Sequence, residues 1–360
     1  MQGLRAVVVI PCYETEAYLP DCLRALEEQS TRDFRVLIVH KAISESAKSE
    51  VRCLAASSSL SISILQQEKG RVEEGINLAL DQVDEEVLIL LDSDAVPGAG
   101  FVKAHIERYS DSTLGGVSGL ILERFVDLSH RISASEVDEV KLDDRREGPL
   151  TRSLKQFLST LPATRGFARR MTISGYEYVD ANGLTEGSEV VLGPGCNMSF
   201  RTSILSEFRV LPRSLYGLRF EAQIGLKLLA DGFRVVYSER PRVLHRARSE
   251  SLSRGFAPGK QVLLAVEATT FCLYLARMRY ISHVSLSQSL ESIAATTAFA
   301  FKRASVSSTV WAFVGATIGA IVARGMVSSG EVNIRKLEER LIRLFSVTEV
   351  GAAEERDQDA

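Results

Sequence analysis

The chain has 360 residues, of which 45% are hydrophobic and 25% charged, and this balance excludes a disordered protein. A formal net charge of −3 and a pI of about 6.1 exclude a nucleic-acid partner held by bulk positive charge. The five cysteines form no CxxC pair, which argues against a disulfide framework and favours a reducing compartment. The chain enters an apolar strand at once, without the features of a signal peptide, so we expect a cytoplasmic location.

In the first hundred residues, short apolar runs alternate with helical patterns. The predicted strands and helices follow in chain order: strand 6–10, helix 17–29, strand 34–39, helix 46–55, strand 62–65, helix 72–80 and strand 87–91. Continuous apolar strands separated by helices are typical of a parallel sheet buried on both faces. We therefore predict an α/β fold, Rossmann-like, with a mostly parallel central sheet flanked by helices.

Ligands of such a sheet bind beyond the carboxyl ends of its strands. The predicted turn at Pro11, Cys12 and Tyr13 follows the first strand, and Asp92-Ser93-Asp94 follows the fourth. Two acids around a small residue can bind Mn²⁺ or Mg²⁺, which prefer oxygen ligands and substrate phosphates. Such an ion would neutralise charge on a diphosphate leaving group. Chance or helix-capping acids would give the same pattern, so both interpretations stay open here.

Five segments in order carry a resemblance to a known family. They are VVVIPCYETEAYLPDCLRAL (7–26), GRVEEGINLAL (70–80), DSD (92–94), GPGCNMSFR (193–201) and EAQIGLKLLADG (221–232), the last followed by a strand and loop ending at His245. Together they resemble the inverting glycosyltransferases of family 2, which have the GT-A fold. The resemblance covers about 1–125 and 190–248. It implies metal-dependent transfer of a sugar from a nucleoside-diphosphate donor to a glycan or a lipid-linked acceptor.

The resemblance also implies a domain organisation. It consists of a nucleotide-sugar-binding half at 1–125, an insertion shaping acceptor specificity at 126–190, an acceptor-side half at 191–250, a helical extension at 251–345 and a polar tail at 346–360. The helical extension contains an uncharged apolar run at 310–323. That run predicts either a buried or interfacial helix or a membrane span, since a span needs about 20 apolar residues. A membrane surface at the inner face of the cell membrane is therefore among the expected partners.

The resemblance assigns the catalytic base to Glu221. Counting back from Gly232, Glu221 takes the place of the second acid of the family's Glu-Asp pair, and Phe220 takes the place of the first. Inverting transfer needs a carboxylate that removes the proton from the attacking acceptor hydroxyl. The alternative is an ordinary acid at a helix N-terminus, stabilised by the helix dipole.

The remaining site residues are also read from the resemblance or from their neighbours. Predicted donor contacts are Pro11, Tyr13, Glu14, Gly70, Asn77, Asp92, Ser93, Arg246 and Arg248. Predicted metal ligands are Asp92, Asp94 and His245, and predicted acceptor contacts are Gly195 and Asn197. The two arginines are included because guanidinium groups suit phosphate oxygens. A purely structural role stays open for His245 and Asn197.

One segment departs from the family pattern. Family members often have Asp-Asp-Gly-Ser after the second strand, with one acid contacting the nucleotide base. This chain has His40-Lys41-Ala42-Ile43-Ser44 there. The base contact would then fall to Glu68 or to backbone groups, and the nucleotide stays unassigned.

Two other functions remain as alternatives to glycosyl transfer. A sugar-phosphate nucleotidyltransferase also uses metal-binding acids, but it usually has a Gly-rich phosphate loop with a lysine near the first strand. The segment Pro11-Cys12-Tyr13-Glu14 offers no such loop. A degenerate nucleotide-sugar-binding module without catalysis is the other alternative, suggested by the lost acids at His40 and Lys41 and by Phe220.

Overall fold

The computed structural model describes residues 4–124, 130–140, 167, 169–171, 177–179, 183–191, 193–210, 220–246, 285–303 and 306–330. These residues fall into two compact units, which are described separately. The first unit comprises 1–146, 184–212 and 220–248, and the second comprises 147–183, 213–219 and 249–360. The predicted domain boundaries stay predictions, but the first unit includes 130–140 and 184–190 from the segment expected to be an insertion.

The first unit is built on an eight-stranded sheet. Its strands are β1 (Ala6–Cys12), β2 (Phe34–His40), β3 (Ile62–Gln66), β4 (Val87–Leu90), β5 (Ala95–Pro97), β6 (Leu114–Arg124), β9 (Met198–Arg201) and β10 (Arg234–Arg246). Its helices are α1 (Leu19–Glu27), α2 (Glu45–Ser57), α3 (Val72–Leu80), α4 (Phe101–Arg108), α5 (Ala134–Glu139), α6 (Thr202–Leu205) and α7 (Phe220–Ala230), and a 3-10 turn (Glu16–Tyr18) precedes α1.

The order of strands across the sheet is β3-β2-β1-β4-β9-β6-β10-β5. Strands β1, β2, β3 and β4 are parallel, and β9 is antiparallel to both β4 and β6. Strand β10 is parallel to β6 and antiparallel to β5. Six strands therefore run in one direction and two run in reverse. The predicted mostly parallel sheet, flanked by helices, is confirmed.

The core forms where the sequence predicted it. Strands β1 and β4 are buried, and Leu19, Leu23 and Leu26 of α1 are buried in the same core, as their helical spacing predicts. The predicted turn at Pro11 is wrong, because β1 continues to Cys12 and Pro11 pairs with Val39 of β2. Pairing of β1 with β4 ends at Val9, so the missing N–H of Pro11 interrupts no hydrogen bond on that side.

The second unit contains a hairpin and two long helices among its described residues. The hairpin is formed by β7 (Arg169–Met171) and β8 (Glu177–Val179), and the helices are α8 (Leu286–Arg303) and α9 (Val306–Ser328). Helix α9 buries Ala312 and Ala316 against Ile293 of α8, while Trp311 and Phe313 are exposed. The part Thr309–Ser328 is long and apolar enough to cross a membrane, a test that a core helix of a soluble protein also passes. The helical extension is confirmed, and both interpretations of 310–323 stay open.

Candidate active site

Strand directions bring several polar residues to one edge of the sheet. Asp92 and Asp94 follow the carboxyl end of β4, and His245 lies near the carboxyl end of β10. Strands β5 and β9 run in reverse, so this edge is where they begin. Ala95, the first residue of β5, pairs with His245, and Cys196 lies just before β9. Residues far apart in sequence therefore meet because of the sheet topology.

The distances at this edge describe a compact group of ligand atoms. His245 Nε2 lies 3.3 Å from Asp94 Oδ1 and 3.7 Å from Asp92 Oδ2. One ligand atom each from Asp92, Cys196 and His245 lie within 4.8 Å of one another. The side chain of Asp92 is 43% exposed, that of His245 is 25% exposed, and that of Asp94 is only 4% exposed. A substrate can therefore reach the group from the Asp92 side.

These residues fit a divalent cation. Two carboxylates and one imidazole offer the oxygen and nitrogen ligands that Mn²⁺ and Mg²⁺ accept, and the carboxylates balance the charge of the ion. The backbone holds the group in place, since the N–H of Arg246 donates to the Asp94 carbonyl oxygen at 3.1 Å. Of the predicted site residues, Asp92, Asp94 and His245 are brought together as expected.

Ser93 connects two loops at this edge of the sheet. Its side chain is buried, and its hydroxyl lies 2.5 Å from the hydroxyl of Thr15, in the turn that follows β1. The hydroxyl therefore joins the loop after β4 to the turn after β1. The hydroxyl is thus engaged within the protein, and the donor contact of Ser93 stays a prediction.

Glu221 lies at the N-terminus of α7, and its carboxylate contacts a neighbour of the ligand group. The N–H of Gly195 donates to Glu221 Oε1 at 3.2 Å, and Gly195 directly precedes Cys196. A Cβ at Gly195 would lie 2.8 Å from Glu221 Oε1 and 2.8 Å from the Phe220 ring. A side chain at this position would therefore force the Glu221 carboxylate or the Phe220 ring to shift. The role of Glu221 as base and the acceptor contact of Gly195 stay predictions.

The structure corrects the predicted role of Arg246. The side chain is 1% exposed and forms an ion pair with Asp21 of α1, and it also donates to the His130 carbonyl oxygen at 3.2 Å. A buried guanidinium needs such partners, because removing a charge from water is costly. Arg246 therefore holds α1 against the end of β10 in place of clasping phosphate. Arg248 lies outside the described residues.

Asn197 is also a core residue, not a surface contact. The side chain is 0% exposed, and its amide nitrogen donates to the carbonyl oxygens of Leu120 and Pro241 at 2.8 and 3.0 Å. Its amide oxygen lies 3.0 Å from His105 Nε2. Burial lowers the pKa of His105 to about 3, so the imidazole is neutral. With all its polar groups engaged inside, Asn197 has none left for an acceptor, which corrects the prediction.

The same network continues away from Asn197. His105 Nδ1 lies 2.8 Å from the Ser199 hydroxyl, which lies 2.8 Å from the hydroxyl of Tyr109. Burial raises the pKa of Tyr109 well above its usual range. We call Asn197, His105, Ser199 and Tyr109 the buried network. It joins α4 to β9 beneath the sheet edge.

The turn after β1 meets the loops that follow β2 and β3. Lys41 Nζ lies 4.9 Å from the centre of the Tyr13 ring and donates to the Gly70 carbonyl oxygen at 3.0 Å. Gly70 has φ +89°, and Glu14 has φ +54°, a conformation that is unusual for a residue with a Cβ. Tyr13 and Gly70, two predicted donor contacts, are thus linked through Lys41. Glu14 is exposed beside them, and Pro11 lies within β1.

Asn77 holds two segments of the protein together. Its amide nitrogen donates to the Val210 carbonyl oxygen at 2.8 Å, and its amide oxygen accepts from the Val210 N–H at 2.8 Å. Both polar groups are therefore used in fixing α3 to the segment after α6. The side chain is only partly buried and this pairing uses one of its two amide N–H groups, so the donor contact of Asn77 stays a prediction.

A second group of possible ligands lies below the turn. Cys12, Glu16 and His40 are buried with ligand atoms within 4.8 Å of one another, and His40 Nε2 lies 2.9 Å from Glu16 Oε1. Burial raises the pKa of the Cys12 thiol to about 12, so the thiol stays protonated. The hydrogen bond between His40 and Glu16 connects the end of β2 to the 3-10 turn, so a structural role accounts for this group.

Sequence reasoning missed four residues near this edge. Cys196 joins the ligand group, Thr15 fixes Ser93, Asp21 balances Arg246, and Lys41 spans the turn. Cys196 adjoins Asn197 within a segment already singled out, and Lys41 lies in the segment that departs from the family. Their position in those segments could have marked Cys196 and Lys41 as candidate site residues. Nothing in the sequence marks Thr15 or Asp21.

Comparison with known proteins concerns the sequence and the fold. Residues 7–173 match the family model of glycosyl transferase family 2. The fold is similar to that of the mannosyltransferase PcManGT from Pyrobaculum calidifontis in complex with GDP-Man and Mn²⁺, with 14% identity, a TM-score of 0.52, and coverage of 90% of this chain and 88% of that chain. It is also similar to GalNAc-T7 with UDP, GalNAc and Mn²⁺, with 13% identity, a TM-score of 0.51, and coverage of 80% and 53%.

At these identities the structural likeness concerns the fold, and it confirms the predicted GT-A architecture. No protein of curated function matches the sequence.

Proposed function

The chain is a glycosyltransferase with a family 2 domain over residues 7–173, and on that premise we propose that it is metal-dependent and inverting. In this proposal a sugar moves from a nucleoside-diphosphate donor to a hydroxyl group of a glycan or a lipid-linked acceptor. The observation that carries the proposal is the convergence of Asp92, Asp94 and His245 at one sheet edge. Glu221 lies one hydrogen bond from the backbone that leads into the same edge.

Asp92, Asp94 and His245 would hold the divalent cation, either Mn²⁺ or Mg²⁺. When bound, such an ion neutralises the charge that develops on the diphosphate as it leaves. The partly exposed carboxylate of Asp92 is the ligand best placed to meet a donor arriving from solvent. The turn containing Tyr13 and Glu14, together with Gly70, lies on the same edge of the sheet and would contact the nucleoside.

Glu221 would act as the general base. Its carboxylate accepts the proton of the acceptor hydroxyl while the hydroxyl oxygen forms a bond to the anomeric carbon. The bond from that carbon to the diphosphate oxygen breaks on the opposite side, so the configuration inverts. The hydrogen bond from the Gly195 N–H holds one carboxylate oxygen of Glu221, and fixed positioning of this kind lowers the barrier.

The acceptor and the location belong to the proposal as well. Helix α9 exposes Trp311 and Phe313 and is apolar over Thr309–Ser328, which favours an enzyme working at the cytoplasmic face of a membrane. A lipid-linked acceptor or a growing polysaccharide would then be within reach. Fractionation of cells without detergent tests this point, and recovery wholly in the soluble fraction, with no affinity for lipid vesicles, would contradict it.

The decisive experiment measures donor turnover by the full chain. A panel of nucleotide sugars is first screened by thermal shift with and without Mn²⁺, because ligands that bind only the folded state raise its melting temperature. Donors that bind are then assayed for release of nucleoside diphosphate. We expect Mn²⁺-dependent release with wild type, and its loss with Glu221→Gln while donor binding is kept. The matched control is Glu207→Gln, which alters an exposed acid after α6.

The outcomes separate the alternatives. Release of nucleoside diphosphate without inorganic pyrophosphate supports sugar transfer, whereas pyrophosphate release would indicate a nucleotidyltransferase. Donor binding with no turnover under any condition would indicate a binding module without catalysis. If Glu221→Gln turns over as fast as wild type, another residue is the base.

A further inference from the structure

The ligand group at the sheet edge contains a thiol as well as oxygen and nitrogen atoms. Cys196 Sγ lies within 4.8 Å of the ligand atoms of both Asp92 and His245. Two ligands of one metal ion are separated by roughly 3 to 4 Å when each is bound at 2.0 to 2.3 Å. Small side-chain rotations therefore suffice to bring all three onto one ion.

We propose that Cys196 is a ligand of the metal that Asp92 and His245 hold, which makes the site prefer thiophilic divalent ions to Mg²⁺. The inference rests on the metal-dependent function proposed above, because it concerns the same ion. Thiolate ligands favour ions such as Zn²⁺, Co²⁺ and Cd²⁺, whereas Mg²⁺ prefers oxygen ligands alone. On binding, the thiol loses its proton to solvent and the sulfur donates an electron pair to the ion.

The backbone around Cys196 fixes the position of the thiol. The N–H of Asn197 donates to the Pro194 carbonyl oxygen at 3.1 Å, and the N–H of Gly195 is held by Glu221 at 3.2 Å. On the other side, the Asn197 side chain is fixed within the buried network. The thiol is therefore presented by a rigid segment, so its approach to Asp92 and His245 does not depend on a mobile loop.

The position also connects the metal to the proposed base. Cys196 would bind the ion, and the preceding residue, Gly195, binds Glu221. The other described cysteines lack this arrangement. Cys22 is buried with its thiol 3.9 Å from the Asp92 carbonyl oxygen, but it belongs to neither group of ligand atoms. Cys12 belongs to the group with Glu16 and His40, and Cys53 is exposed on α2.

The test uses Co²⁺ as a spectroscopic probe on the full chain after removal of metals by chelation. A cobalt–thiolate bond gives a ligand-to-metal charge-transfer band in the near ultraviolet, which oxygen and nitrogen ligands do not give. We expect one equivalent of Co²⁺ to produce this band in wild type. Cys196→Ser should lose it while still binding Co²⁺ through the remaining ligands.

Two cysteine variants serve as controls. Cys53→Ser removes an exposed thiol, and Cys12→Ser removes the thiol of the second ligand group; both should keep the band. Affinities for Cd²⁺ and Mg²⁺ are then compared. We expect Cys196→Ser to weaken Cd²⁺ binding by about tenfold or more, in line with losses of metal ligands and their supports, and to change Mg²⁺ binding by less than about threefold.

Each outcome has one meaning. Co²⁺ binding without the band in wild type would overturn the thiol ligand and leave the proposed transfer function intact. A band that survives in Cys196→Ser would overturn the proposal, and its loss in Cys12→Ser instead would place the ion in the other group. If wild type binds no divalent cation even with donor present, both the metal-dependent function and the thiol ligand are overturned. Circular dichroism of Cys196→Ser shows whether the variant is folded.

Discussion

Two polar regions lie next to each other in this protein and behave in opposite ways. The ligand group of Asp92, Asp94, Cys196 and His245 lies at the sheet edge, with Asp92 and His245 partly exposed. The buried network around Asn197 is closed to solvent, and its side chains bond to one another and to backbone carbonyl groups. The first region is arranged for a ligand, and the second holds the fold together.

The boundary between the two regions falls between adjacent residues. Cys196 belongs to the ligand group, and Asn197 belongs to the buried network. Cys196 lies in the turn before β9 and Asn197 directly precedes the strand, so a single motif contributes one residue to each region. A residue type that suits a ligand therefore does not identify a ligand contact by itself. Variants in the two regions should separate loss of activity from loss of stability.

The largest effect is expected for Asp92→Asn. This change removes one charge from the ligand group at a partly exposed position, so the fold should stay intact while metal-assisted departure of the diphosphate fails. We expect turnover to fall by about 10³-fold, equivalent to about 4 kcal/mol in the barrier. Steady-state kinetics at saturating Mn²⁺ measures the loss. Asp84→Asn, at an exposed position before β4, is the control and should behave as wild type.

Arg246→Met tests a buried residue that supports the fold and does not belong to the ligand group. Removing the guanidinium leaves Asp21 with Arg24, 2.7 Å away, as its remaining ion-pair partner. Leaving a buried charge wholly unpaired costs about 3 to 5 kcal/mol, so we expect a loss of about 2 to 3 kcal/mol, which urea denaturation can measure. Arg240→Met removes an exposed pair with Glu107 and should cost less than about 1 kcal/mol. Equal stabilities of the two variants would contradict the structural role of Arg246.

Gly195→Ala probes the connection between the regions. The added Cβ would meet Glu221 Oε1 and the Phe220 ring, so the carboxylate must move. A displacement of about 1 Å in a reacting group can cost about 10²-fold in rate, and we expect a loss of that size in kcat. Donor affinity, measured by calorimetry, should change little. A normal kcat would show that Glu221 does not need this position.

A pH dependence of stability is expected from the buried network, and at neutral pH it has no effect. The pKa of His105 is lowered by burial to about 3 from the ordinary value of 6.5, so the unfolded chain binds a proton that the folded chain does not between these values. Its contribution to stability is present above pH 6.5 and is lost progressively as the pH falls toward 3. Denaturation of wild type and His105→Gln across this window compares the slopes. Equal slopes would refute the assignment.

Much of the fold was predictable because local patterns dominate it. The apolar runs at β1 and β4 and the helical spacing of α1 each indicate one element without ambiguity. The predicted end of β1 was wrong because pairing with β2 keeps Pro11 in the strand. Antiparallel insertion of β9 between β4 and β6 is a long-range choice that no local pattern encodes.

The candidate site was predictable in part for the same reason. Aspartates at the end of a buried strand must lie at the sheet edge, so Asp92 and Asp94 follow from the pattern. Burial of Arg246 and Asn197 depends on Asp21 and His105, partners distant in sequence. Arg246 and Asn197 are residue types suited to phosphate or sugar, but here their side chains bind Asp21 and His105. Pairing of this kind is visible only once the chain is folded.

The place of β9 in the sheet has a consequence for synthesis. Strands β4 and β6 leave the ribosome early, but the strand that belongs between them, Met198–Arg201, emerges much later. Until then both strands carry unpaired backbone edges, which can pair with another nascent chain. A fragment that stops before residue 198 would keep those edges open permanently, so the amino-terminal half should aggregate when expressed alone.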